Sequence, residues 1–257
     1  MPRFAANLSM LFTEVPFTER FAKAAEAGFT GVEYLFPYDW PKEVLSSALK
    51  DNGLTQVLFN LPPGDWDAGE RGIACLPDRV DEFRAGVNQA IEYARELGCT
   101  QLNCLAGLKP VELDEDTAWQ TLVANIAWAA EKLADEGITL CLEAINSRVD
   151  MPRFFLDTSG KVIALIEEID ADNLRLQYDI YHMQIMHGDL VRSMECLLPW
   201  IGHIQFADNP GRHEPGTGEI NFSNVFSAID KMDYDGWVSA EYQPSGTTAE
   251  SLHWLPA

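Results

Sequence analysis

Short apolar runs alternate with longer amphipathic stretches along the whole 257-residue chain, the pattern of a parallel α/β fold. The runs FAANLS (4–9), GVEYL (31–35), TQVLFN (55–60), TQLNCLA (100–106), ITLCLEAI (138–145), LRLQYDIY (174–181), IGHIQFAD (201–208) and WVSAEY (237–242) read as strands. The stretches 17–27, 41–52, 77–97, 114–136, 159–169, 188–198 and 222–231 read as helices. In 77–97, Val80, Phe83, Val87, Ile91 and Ala94 recur at helical spacing. Pro77 suits the first turn there, and Gly98 supplies the stop. Eight strands and at least seven helices match the ~250 residues of a (β/α)8 barrel, expected as one domain over 1–257. An open doubly wound sheet would bring a glycine-rich nucleotide turn, and the chain has none.

Alternation within the strands supports the barrel. A strand covered by helices on both faces is apolar throughout, whereas a barrel strand turns one face to a lumen that becomes polar towards its active end. One parity carries Thr139, Cys141 and Glu143; Arg175, Gln177 and Asp179; His203 and Gln205; Ser239 and Glu241. Asn7, Glu33, Asn60 and Asn103 fall on it in the earlier strands. Glu143, Asp179, Gln205 and Glu241 stand near strand ends at spacings of 36, 26 and 36 residues, each about one βα unit. They are therefore expected to converge on one rim. Three carboxylates and an amide oxygen suit a hard divalent cation. Without a cation the carboxylates repel one another and their pKa values rise.

Two histidines belong near this rim. His182 follows Asp179 just beyond the strand end and suits metal or substrate binding; His203 lies deeper and suits orienting Gln205 or a carboxylate. Arg212, in the turn-rich segment DNPGRHEPGTGEINF (208–222), is placed to grip a substrate carboxylate with both arms of its guanidinium. The long loop 61–78, with Trp66 and Arg71, reads either as a lid or as plain surface loop.

Composition narrows the class. A formal charge of −22, from 18 basic and 40 acidic residues, argues against a nucleic-acid groove and an anionic membrane surface. The five cysteines are odd in number and lack CxxC spacing, as expected for reduced thiols of a cytoplasmic protein. The opening MPRFAANLSM does not read as a signal peptide, and no apolar run approaches the ~20 residues that span a bilayer.

The segments GVEYLFPYDW (31–40), LFNLPPGDWDAGERG (58–72), CLEAIN (141–146), QYDIYHMQIMHGD (177–189), IGHIQFADNPGRHEPGTGEINF (201–222) and SAEYQP (239–244) resemble the hydroxypyruvate isomerase family of xylose isomerase-like barrels. The resemblance covers essentially the whole chain, and its long segments are the specific ones. It implies that Glu143, Asp179, Gln205 and Glu241 ligate Mg2+ or Mn2+, with Glu143 and Glu241 as acid–base pair from opposite sides of the barrel. His182, Arg212, Asn60 and Asn103 are then expected to bind a small-molecule substrate. The implied reaction moves a carbonyl between adjacent carbons through a cis-enediolate. It converts hydroxypyruvate to tartronate semialdehyde, or 2-oxotetronate to 3-oxotetronate. A sugar 3-epimerase and a non-catalytic sugar-acid-binding barrel are the alternatives; related epimerases usually carry His where Gln205 stands. An abasic-site endonuclease on this barrel would need three zinc ions and many histidines, against five histidines and an acidic surface. A homo-oligomer is left open.

Overall fold

The computed structural model describes residues 1–256. Eight parallel strands close into a barrel in chain order: β1 (Arg3–Asn7), β2 (Gly31–Glu33), β3 (Thr55–Asn60), β4 (Gln101–Cys104), β5 (Thr139–Glu143), β6 (Leu174–Asp179), β7 (Ile201–Phe206) and β8 (Trp237–Ala240). β8 pairs back onto β1, so no edge is left to pair with another chain. The helices are α1 (Phe17–Glu26), α2 (Lys42–Asn52), α3 (Val80–Leu97), α4 (Glu115–Ala134), α5 (Ser159–Ile169), α6 (Ile180–Met186), α7 (Leu190–Leu197), α8 (Phe222–Lys231) and α9 (Thr248–Ser251). None among the described residues is long and apolar enough to cross a membrane.

The (β/α)8 barrel expected from the alternation is the observed fold, but several strands are shorter than the apolar runs suggested. The run 174–181 is the instructive case, because β6 stops at Asp179 and α6 begins at the next residue. The Asp179 side chain accepts the His182 backbone N–H at 3.0 Å, which caps the helix. Ile180 and Tyr181 therefore bury their apolar side chains from a helix, not a strand. α9, also absent from the sequence expectation, is closed by a capping box between Thr247 and Glu250.

Outward-facing strand residues such as Leu140, Leu142, Leu174, Leu176 and Tyr178 pack with Phe83, Val87, Leu122, Ile126 and Leu165 of the helices into one continuous core. Burying each such side chain stabilises by about 1.5–3 kcal/mol. A smaller cluster of Ala5, Val57, Leu58 and Cys141, with Trp237 against it, fills the N-terminal end of the lumen. Gly31 makes room there, since a Cβ would lie 2.5 Å from the Trp237 ring. Five free cysteines are present, Cys196 alone of them exposed.

Above that plug the lumen is polar all the way round. In register, Asn7 pairs with Glu33, Asn60 with Asn103, Glu143 with Gln177, and Asp179 with Gln205. Glu33 is fully buried and accepts from His203 Nε2 (2.7 Å), Asn7 Nδ2 (3.0 Å) and Gln205 Nε2 (2.7 Å). Burial alone would raise its pKa, but His203 and the hydrogen bonds from His203 and Gln205 work against burial, and the carboxyl is held below the usual range. His203 thus orients a carboxylate, as its deep position suggested.

The loop 61–78 is anchored along its second half. Gly72 N–H donates to Pro63 O and Cys75 N–H to Ala106 O, both at 2.9 Å. Gly72 sits at φ +100°, and a Cβ there would lie 2.1 Å from Leu105 O. Asp65, the tip Asp67–Gly69 and the end Pro77–Asp78 are exposed, whereas Gly72–Cys75 is buried; Trp66 packs on Phe36 beneath the Arg71 guanidinium.

Replacing His203 with Ala leaves the Glu33 carboxylate buried without one of its two closest partners. Urea unfolding should show a loss of about 3–5 kcal/mol; a loss below about 1 kcal/mol would contradict the place given to this pair.

Candidate metal and substrate site

Glu143 ends β5 and Asp179 ends β6, and His182 lies on the first turn of α6. One ligand atom from each of these three lies within 4.8 Å of the other two, and all three residues are buried. Glu143 Oε2 accepts from Asn103 Nδ2 (3.1 Å), whose other hydrogen goes to Asn60 Oδ1 (3.1 Å). Asn60 and Asn103, expected to bind substrate, thus lie in a chain of amides that holds Glu143. Asp179 spends Oδ1 on the α6 cap, while its buried Oδ2 has no partner. Such an orphaned carboxylate oxygen is costly unless something else reaches it.

Gln205 and Glu241 complete the rim from β7 and the end of β8. Gln205 Nε2 donates to Glu33 (2.7 Å) and to Glu241 Oε2, and its Oε1 accepts from Gln177 (2.6 Å). Gln205 therefore meets Glu241 through its nitrogen, and offers an oxygen to a cation only with the amide turned over. Glu241 Oε1 accepts from Arg212 Nη2 at 2.9 Å. The Arg212 guanidinium lies 5.1 Å from the Tyr181 ring centroid, and its buried Nε has no partner.

Arg212 is carried by a loop built round Asp208, which the sequence reading missed. The fully buried Asp208 carboxylate accepts four backbone N–H groups, from Asn209 (2.9 Å), Gly216 (2.8 Å), Gly218 (2.9 Å) and Ile220 (3.1 Å). Arg212 stands at φ +54° and donates its N–H to Asp208 O. An Asp opening a turn-rich stretch was the signal available. Asn7, placed on the lumen parity but given no role, donates to both Glu33 and Glu241, and Asn146, which contacts His182, was missed. A polar residue on lumen parity hints at the first. The second only closes the motif CLEAIN.

Charge is the governing feature. If Glu143, Asp179 and Glu241 are all ionised, Arg212 offsets one of three negative charges and two remain. Burial, then the charges of Glu241 and Asp179, push Glu143 well above the usual carboxylate range. Burial raises Glu241 to about 8, with Glu33 and Asp179 adding to it and Arg212 and Gln205 opposing. Burial also raises Asp179, against Arg212 and the backbone N–H groups of His182 and Tyr181. His182 moves down, through burial and the Arg212 charge, which keeps its ring neutral. A surplus of two negative charges, oxygen donors and an orphaned Asp179 Oδ2 fit a divalent cation.

The family model of the xylose isomerase-like TIM barrel matches residues 21–257. The chain is 51% identical over 255 residues to the hydroxypyruvate isomerase of Escherichia coli (strain K12), covering 99% of this chain and 98% of that one. It is 45% identical over 254 residues to the 2-oxo-tetronate isomerase of Pectobacterium atrosepticum, covering 99% and 97%. A crystal structure from Brucella melitensis, described as an AP endonuclease of family 2, superposes with a TM-score of 0.96 at 47% identity, covering 99% and 98%.

The raised Glu241 pKa makes a prediction with a definite sign. Between about 4.5 and 8 the folded metal-free protein keeps a proton that the unfolded chain has released. Its unfolding free energy should therefore fall as pH rises from 5 to 8 after chelator treatment, and excess Mg2+ should flatten that slope. Urea titrations across this range check it. A flat metal-free profile, or a slope indifferent to Mg2+, would contradict the charge account.

Proposed function

The chain belongs to the xylose isomerase-like TIM-barrel family and is an isomerase, and from that premise we propose that it moves a carbonyl between adjacent carbons of a small hydroxy-2-oxo acid. Three- and four-carbon substrates are proposed, hydroxypyruvate giving tartronate semialdehyde and 2-oxotetronate giving 3-oxotetronate, in a cytoplasmic enzyme. The observation that carries this reading is geometric: two buried glutamates, Glu143 and Glu241, stand on either side of Asp179 at one mouth of the lumen.

A divalent cation, Mg2+ or Mn2+, held by Glu143, Asp179, Glu241 and, with its amide turned over, the Gln205 oxygen would supply positive charge for the oxyanion that develops on the substrate. Of the two glutamates, one takes the proton from the carbon beside the carbonyl, giving a cis-enediolate, and the other returns a proton to the neighbouring carbon, while the hydroxyl proton passes to the former carbonyl oxygen and the two glutamates exchange protonation states. Burial beside other carboxylates shifts both groups upward, the direction that suits a carboxyl that must release a proton as well as accept one. β5 and β8 stand three strands apart in the ring, so the glutamates flank the reacting carbons, short of facing each other across the full lumen.

Arg212 binds the substrate carboxylate. Its Nη2 is held by Glu241, which fixes the plane of the guanidinium, and its unpartnered Nε is free to donate. His182 donates to a substrate oxygen. Asn103, backed by Asn60, acts on the substrate through Glu143, whose carboxylate it orients. The same barrel serves a nuclease poorly here, since a phosphodiester backbone would meet a chain of charge −22.

Glu143→Gln and Glu241→Gln should each lower kcat by about 10²–10⁴-fold while circular dichroism and Tm stay close to the parent. NMR in D2O on hydroxypyruvate and 2-oxotetronate checks this and also reads solvent exchange at the transferred proton. Near-normal turnover in both variants would overturn the acid–base assignment.

A further inference from the structure

We propose that Asn146 is a positioning residue that fixes the tautomer of His182, so that the ring carries its proton on Nε2 and donates it to a substrate oxygen instead of ligating the metal. The substrate half of this rests on the isomerase reading; the tautomer half rests on hydrogen-bond geometry alone.

Asn146 follows Glu143 by three residues and is fully buried. Every hydrogen-bonding position of its amide is used. Oδ1 accepts from the backbone N–H groups of Val149 and Asp150, both at 3.0 Å. Nδ2 donates one hydrogen to Asp150 Oδ2 and turns the other to His182 Nδ1 at 2.7 Å. Turning the amide over would set its oxygen against the Asp150 carboxylate and its NH2 against two N–H donors. Three partners other than His182 thus fix the orientation. An amide nitrogen has hydrogens to give and no lone pair to offer, so His182 Nδ1 must be the acceptor. The proton of the neutral ring is then on Nε2.

Nε2 lies 3.8 Å from Glu143 Oε1 and 3.9 Å from Asp179 Oδ2. Both are too far for a hydrogen bond, so the N–H is left for a third oxygen placed between the carboxylates. In the proposal that third oxygen is one of the substrate's. A protonated nitrogen cannot coordinate a cation. Although Glu143, Asp179 and His182 cluster tightly enough to pass for a metal triad, His182 is not one of the ligands, and Gln205 and Glu241 are needed to complete the set. Asp150 Oδ2 lies only 3.9 Å from Nδ1. With Asn146 gone, that carboxylate would draw the proton to Nδ1 and reverse the tautomer.

Long-range 1H–15N NMR of the Mg2+-loaded enzyme without substrate, with the His182 signals assigned by their loss in His182→Asn, reads the tautomer directly. The parent should show Nε2 protonated and Nδ1 bare. Asn146→Asp keeps the oxygen that accepts the Val149 and Asp150 N–H groups but sets a second acceptor beside Nδ1. It should move the proton to Nδ1 and lower kcat by about 10²–10³-fold, the usual loss for one donor to a developing oxyanion. A purely structural Asn146 would leave the tautomer unchanged. A parent ring protonated on Nδ1, a variant that keeps the Nε2 proton, or a reversed tautomer with unchanged kcat would each overturn the proposal. Inactivity of the parent on every hydroxy-2-oxo acid would instead remove the isomerase reading and the donor role that rests on it; the tautomer result would stand.

Discussion

Like charge confined at one mouth of a closed lumen is the constraint on which the rest of this structure turns. Glu143, Asp179 and Glu241 are almost wholly buried together, with Arg212 as the one guanidinium among them. Burial takes away the water that would screen three carboxylates, and their raised pKa values express the cost. A protein keeps such an arrangement only where something else meets the charge, and the raised proton affinities are what acid–base work near neutral pH requires.

Around this cluster the lumen is organised to hold each carboxylate in place. Asn60 and Asn103 brace Glu143 from β3 and β4, and the start of α6 fixes Asp179. Asn7, Gln205 and Arg212 all converge on Glu241. One layer down, Glu33 and His203 form a buried pair that in turn orients Asn7 and Gln205. The support is asymmetric in kind. Strand residues set the floor rigidly, whereas Arg212 comes from a loop whose shape depends on one carboxylate, Asp208, collecting four backbone N–H groups. Positioning by strands and by a self-contained loop separates the placing of the rim groups from the closure of the barrel.

Much of this was legible in the sequence, for a physical reason. Parity in a strand is strict, so polar residues at every second position of 139–143, 174–179 and 203–206 could only face a lumen. The eight-fold alternation and the convergence of Glu143, Asp179, Gln205 and Glu241 on one end follow from that. What could not be read was anything set by a hydrogen bond between distant residues. Ile180 and Tyr181 look like strand until Asp179 is seen capping a helix. Asn103 reads as a substrate contact, but its two N–H groups go to Asn60 and Glu143 and only its Oδ1 is left without a partner. Gln205 was taken for an oxygen donor, yet its nitrogen faces Glu241, because Glu33 beneath it and Gln177 beside it decide which way the amide lies. Local sequence records which side chain stands at a site, while its neighbours in space decide which atom it presents.

The central claim, that the surplus negative charge at this rim is answered by one divalent cation, is tested most directly by titrating chelator-treated protein with Mn2+ and following free Mn2+ by EPR. The account predicts one ion bound per chain, and loss of that site in Asp179→Asn, whose circular dichroism should match the parent. No stoichiometric Mn2+ binding, or binding unaltered by Asp179→Asn, would contradict it.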